Sequence, residues 1–95
     1  MVTRIATFLA EPDVDPEKHE ALRQWMGGQP GMMGGFHCRD PKSGKLVSIS
    51  FWTDMDSLLA MKDRVFPGGP LGLEPDSVEI LDVAHTFGPG LHSAG

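Results

Sequence analysis

Residues 30 to 62 read PGMMGGFHCRDPKSGKLVSISFWTDMDSLLAMK, and this stretch decides the fold. Two strand-like runs, Met32 to Arg39 and Leu46 to Trp52, flank Asp40-Pro41-Lys42-Ser43-Gly44-Lys45. Pro and Gly stand there where a type I turn and its exit want them. A four-residue loop sets Asp40 against Lys45, and so pairs Cys38 with Val47, Phe36 with Ile49 and Gly34 with Phe51 on one wholly apolar face. The other, mixed face then carries Arg39 with Leu46, His37 with Ser48, Gly35 with Ser50 and Met33 with Trp52. A one-residue slip would scramble both faces. Past Trp52, Thr53 is placed to cap a helix, with Asp56 three residues on in capping-box position. Leu58, Leu59, Lys62, Val65 and Phe66 form its apolar stripe, the Lys stem lying along it.

Upstream, Val2 to Leu9 reads as a first strand. Asp15 and Pro16 mark the start of a first helix, as N-cap and first helical residue. Ala21, Leu22, Trp25 and Met26 give that helix a narrow apolar stripe, and Gly27-Gly28 ends it. Downstream, the Pro- and Gly-rich run 66–72 is a loop, suited to act as a lid, and Val78 to Phe87 is a fourth strand. The predicted order β-α-β-β-α-β is the ferredoxin-like split arrangement, an α+β fold with a four-stranded antiparallel sheet. Residues 1–88 form its single domain, and 89–95 a flexible tail. Both helices cover one sheet face and leave the other bare. With the mixed face taken as the bare one, Trp52, Leu46 and Met33 offer more apolar area than a solvent face usually shows, and pairing of two copies through the sheet is expected.

The order of elements, with Pro30-Gly31 and Gly35-Phe36 at the entry to the second strand, the Asp40–Lys45 turn, and Val47 to Asp54 leading into a helix with Leu58 and Ala60, resembles the antibiotic-biosynthesis-monooxygenase-like family of dimeric α+β barrels. The resemblance spans roughly residues 2 to 87. It implies a homodimer whose two sheets form a barrel, with a pocket between sheet and helices in each subunit. Family members that oxidise aromatic polyketides without a cofactor use a Trp with an Asn, a Tyr and an Arg. This chain has no Tyr and no Asn, and of that set only Trp52 falls in a matching motif. Haem-degrading members use an Asn on the first strand, a Trp in the second helix and a His near its end. Here the first strand offers Thr3, Arg4 and Thr7, and the second helix has neither Trp nor His.

Composition narrows the partners. The chain has 95 residues, 40% of them hydrophobic, and a net charge of −5. Its basic residues form no run, so the concentrated basic face that nucleic acid requires is absent and no such partner is expected. No apolar run approaches the ~20 residues of a membrane span, and the opening Met1-Val2-Thr3-Arg4-Ile5 lacks the features of a signal peptide. No membrane partner is expected, and the location expected is the cytoplasm. The lone Cys38 excludes an internal disulfide and any paired-cysteine site. It is read as a small buried hydrophobe. The four His show no metal-site spacing, and no cofactor is expected.

The residues left to carry chemistry are few. His37 and Arg39 share the mixed face with Ser48 and Ser50. His37 is the candidate base and Arg39 the candidate holder of an anionic or enolate oxygen; the alternative is that they tie an interface together. His85, in phase with Leu81, Val83 and Phe87, is a second candidate base or a hydrogen-bonded core residue, and His19 is taken as exposed. Trp52 either stacks on a planar substrate or seats the second helix. Met33, with Met26 and Met32, suits an adaptable pocket wall, and Ser50 a polar contact in it. The function this supports is binding of a small apolar or aromatic molecule, with cofactor-independent oxidation of an aromatic or polyketide-like substrate if the protein is an enzyme. A non-catalytic binding or interaction module of the same fold is the alternative.

Overall fold

In the computed structural model, which describes residues 1–64 and 74–88, the chain runs β1 (Val2–Phe8), α1 (Pro16–Gly27), β2 (Met32–Arg39), β3 (Leu46–Trp52), α2 (Met55–Lys62) and β4 (Ser77–Asp82). One antiparallel sheet has the strand order β2-β3-β1-β4. β1 and β2 are both antiparallel to β3, so β1-α1-β2 is a crossover between parallel strands, and β3-α2-β4 is another. This is the ferredoxin-like α+β arrangement the sequence predicts. The expected 66–72 loop, the stripe residues Val65 and Phe66 and the 89–95 tail lie outside the described residues.

Local chemistry sets the elements as expected in several places. Asp15 caps α1 by accepting the Glu17 N–H at 2.8 Å, ahead of Pro16. The β2–β3 loop closes with the Asp40 N–H donating to the Lys45 carbonyl at 2.8 Å. Asp40 also accepts from the Lys42 N–H and the Ser43 hydroxyl, bonds that hold its carboxyl below the usual carboxylate range. The β2–β3 register is as predicted from Gly34 to Arg39.

Several expectations are corrected. The mixed face is the one the helices cover: Val2 and Trp52 lie on it and form the core with Leu58 and Met61, flanked by Trp25, Met26, Met32 and Ile80. Topology chooses this side, because crossovers between parallel strands are right-handed in nearly all proteins and so place both helices without regard to which face is more apolar. The bare face is the one that is apolar on β2 and β3, while β1 and β4 add Thr3, Thr7, Ser77 and Glu79 to it. It presents Ile5, Phe36, Cys38, Val47, Ile49, Phe51 and Leu81, with Phe36 52% and Leu81 49% exposed. Cys38 is therefore exposed rather than buried. Trp52 pairs with Met32, not Met33, because the register shifts between Met32 and Gly34. Gly34, at φ 142°, supplies the conformation for that bulge.

The second helix begins one residue later than expected. Asp54, not Thr53, is its cap and accepts the Ser57 N–H at 2.7 Å, while the Thr53 N–H is taken by the Gly31 carbonyl at 2.9 Å. Its buried residues are Leu58 and Met61; Leu59 is 46% exposed. β4 ends at Asp82 instead of Phe87, because its partner β1 has run out: Asp82 faces Val2, and the Val83 N–H makes a last bond to the Met1 carbonyl.

Candidate functional site

Between the helix-covered face of the sheet and α1 lies a half-open cleft of about 760 Å³, within the ~300–1,000 Å³ usual for small-molecule sites. Alternation along the strands builds it. Arg4, Ala6 and Phe8 of β1 and Leu46, Ser48 and Ser50 of β3 share one parity and line it. His37 and Arg39 of β2 pair with Ser48 and Leu46 and stand on the same side. The bulge brings both Met32 and Met33 to the wall. α1 closes the other side with His19, Leu22, Arg23 and Met26, recurring at helical spacing.

Of the six residues singled out from the sequence, four line this cleft: His37, Arg39, Met33 and Ser50. Trp52 does not. It is fully buried in the core beneath α2 and donates its indole N–H to Ser50 Oγ at 3.0 Å, so it seats the helix and orients a cleft residue without forming the wall. His85 stands beyond the end of β4 and does not line the cleft, nor does it belong to the core. Arg39 does not point a free guanidinium inward. It forms a two-pronged pair with Glu11 at the rim, Nε to Oε2 at 2.7 Å, and its hydrogen bonds hold the Glu11 carboxyl below its ordinary range.

Electrostatics distinguish the imidazole that remains. His37 is exposed on β2, yet the desolvation its cleft side imposes, followed by Coulomb repulsion from Arg23 and then His19, pushes its pKa below its ordinary value. Its neutral, proton-accepting form is therefore favoured at pH 7. Arg23 is itself paired with Glu20 at 2.6 Å. Ser50 accepts from Trp52 through its oxygen, and its own hydroxyl hydrogen stays available.

Three lining residues escape the sequence pattern. His19, expected to be exposed, is half-buried at the cleft. Arg23 adjoins Leu22 on α1 and shares its side of the helix. Arg4 is the important one, and its signal is parity: it alternates with Val2, Ala6 and Phe8, the inward residues of β1.

No family model matches the sequence, and no curated protein matches it. Solved structures do. The fold is similar to that of a protein from Deinococcus radiodurans, provisionally described as an antibiotic biosynthesis monooxygenase, with a TM-score of 0.67, 13% identity and 93% of this chain and 97% of that one covered. A protein from Chloroflexus aurantiacus with the same provisional description gives a TM-score of 0.65 at 19% identity, covering 92% and 96%. The heme-degrading protein of Mycobacterium tuberculosis, in its heme-free form, gives 0.61 at 16% identity, covering 92% and 98%. The chain thus has the fold that antibiotic-biosynthesis-monooxygenase-like proteins and this heme degrader share. Among the described residues no helix is long and apolar enough to cross a membrane, and no group of three metal-ligating side chains occurs.

Proposed function

We propose that this chain is a dimeric α+β barrel protein that binds a small, mostly apolar aromatic molecule in the cleft between its sheet and α1, and that the reaction its groups suit is a base-initiated oxidation needing no cofactor. The observation that carries the reading is the cleft itself: Phe8, Leu22, Met26, Met32 and Met33 supply apolar wall, and His37, held neutral, stands among them. His37 takes a proton from an activated CH2 of the substrate. The carbanion then reduces O2, the two recombine as a hydroperoxide, and loss of water leaves a carbonyl, so that CH2 and O2 become C=O and H2O. The substrate carries the electrons, and the protein supplies a base in a half-open, largely apolar cleft. The fold shared with provisionally described monooxygenases supports the reading.

The second copy is assigned to the bare face. Ile5, Phe36, Val47, Ile49 and Phe51 make an apolar patch, bordered on the β4 side by Thr3, Glu79 and Leu81, and a chain this short gains from covering it. Oxygen uptake on mixing the protein with 1,8-dihydroxyanthrone tests the chemistry. Uptake above the buffer rate that falls about a hundredfold or more in His37→Gln, a loss typical of removing a general base, is the expected result. Binding of the anthrone with no uptake makes the protein a non-catalytic binding module instead.

A further inference from the structure

Arg4 sits in the middle of the sheet, on the strand between β3 and β4, opposite Ser50 on one side and Ile80 on the other. The residues of its parity to either side, Val2 and Ala6, are both buried, so its stem lies in the core layer and its head on the cleft floor. Its Nε is enclosed and has no hydrogen-bond partner, and the side chain makes no ion pair among the described residues. A guanidinium remains charged even where burial opposes it, as it does here, and a half-buried cation with an enclosed, unpaired N–H carries an unrelieved desolvation cost.

The neighbours do not relieve it. Glu11 is the one carboxylate among the described residues lining the cleft, and Arg39 holds it with two bonds. Arg23 is matched by Glu20. With those pairs set aside, one unneutralised guanidinium is left among the described residues of the cleft, on its floor, in a chain whose net charge is −5. Beside it the Ser50 hydroxyl has a hydrogen to give, and the walls are Phe8, Leu22, Met26 and Met32.

We propose that the cleft takes a monoanionic ligand, an aromatic body bearing one carboxylate or ionised enol, and that Arg4 is the residue that holds its anion. The inference rests on the reading of the cleft as a ligand site and adds the ligand's charge and the residue that reads it. Arg4 offers the paired N–H geometry that matches two oxygens, with Ser50 as a further donor. One cation fits one negative charge.

A pair of probes of equal shape tests this: 2-naphthoate and its neutral isostere 2-naphthamide, titrated calorimetrically into the full chain. The wild type is expected to prefer the naphthoate by about tenfold or more, the scale of a charged hydrogen-bonded contact. Arg4→Met should abolish that preference while leaving naphthamide affinity within about twofold, and Arg4→Lys should keep part of it. Equal affinity for the two probes in the wild type, or a preference that survives Arg4→Met, overturns the assignment and leaves the cleft standing as a site for neutral molecules. Binding of neither probe overturns the assignment together with the reading on which it rests. Should Arg4→Met fail to fold by circular dichroism, the wild-type comparison and Arg4→Lys decide.

Discussion

The indole N–H of Trp52 donates to Ser50 Oγ at 3.0 Å, which joins a residue of the core to a residue of the cleft through one hydrogen bond. Trp52 is 0% exposed, so its N–H has no water to turn to if Ser50 is lost. Ser50→Ala leaves that donor buried and unpaired, at a cost of about 1–3 kcal/mol. For a domain of this size that lowers the melting temperature by roughly 4 °C or more. Adding Trp52→Phe removes the orphaned donor, so the double variant should lose less than the sum of the two singles. Additive losses in thermal melts would mean that the bond contributes nothing.

Gly35 predicts a larger effect at a position that looks permissive in sequence. A Cβ there would stand 2.3 Å from the Ile49 carbonyl oxygen and 3.2 Å from Ser50 Cα, both backbone atoms of the neighbouring strand. Neither can swing aside, so Gly35→Ala should force β2 away from β3 and cost about 1–3 kcal/mol, in the range of overpacking. Gly27→Ala is the matched control: no atom lies within 4 Å of its added methyl, and a helical Ala is preferred to Gly by up to about 1 kcal/mol. Urea midpoints should therefore move in opposite directions for the two variants. A Gly35→Ala midpoint at or above the wild-type value contradicts the close approach of β2 to β3 at this position.

The bare sheet face makes the association prediction. Phe36 is 52% exposed and meets Phe51 edge to face, with ring centroids 6.3 Å apart, at the side of the patch near the sheet edge. Phe36→Glu puts a charge into that patch without touching the core on the other side, so the variant should stay folded and sediment as a monomer while the wild type sediments as a dimer. Analytical ultracentrifugation at micromolar concentration decides it. A monomeric wild type removes the barrel from the proposal and leaves the cleft unaffected.

What the sequence discloses and what it hides divide along a physical line. The Asp15 cap, the Asp40 loop and the pairing from Gly34 to Arg39 depend on residues close together in the chain, and each is legible there. Two departures come from tertiary facts. Which sheet face meets the helices is set by crossover handedness, so the apolar Phe36, Ile49 and Phe51 lie bare while Ser48, Ser50 and Arg4 sit beneath α1. The length of β4 is set by where β1 begins, which the alternation of Val83, His85 and Phe87 does not reveal. The candidate site inherits the same split. Strand parity finds His37 and Ser50 and puts Arg4 on the same side, but it credits Arg39 with a free charge that Glu11 takes, and no residue near Arg4 in sequence marks it as unpaired.

His37 offers the most direct test of the site's electrostatics. Partial desolvation is the first cause of its lowered pKa, and the positive charge of Arg23 the next. The Hε1 resonance of His37, followed by NMR across the acid and neutral range, should titrate below the ordinary value of about 6.5. Arg23→Gln removes one of the two opposing charges and should move the midpoint up, though not the whole way, since desolvation remains. The sign for stability follows. A group whose pKa is lower folded than unfolded binds more protons in the unfolded state, so its contribution to stability rises with pH. The penalty is fully developed below the folded pKa and gone above the unfolded one, about 6.5. His37→Gln should therefore flatten the stability profile on the acid side of about pH 6.5 and change it little above. A His37 midpoint at or above about 6.5 would show that the imidazole is not held neutral by its surroundings, and the assignment of His37 as the base would lose its electrostatic support; a lowered midpoint that Arg23→Gln leaves in place would remove only the charge of Arg23 from the causes.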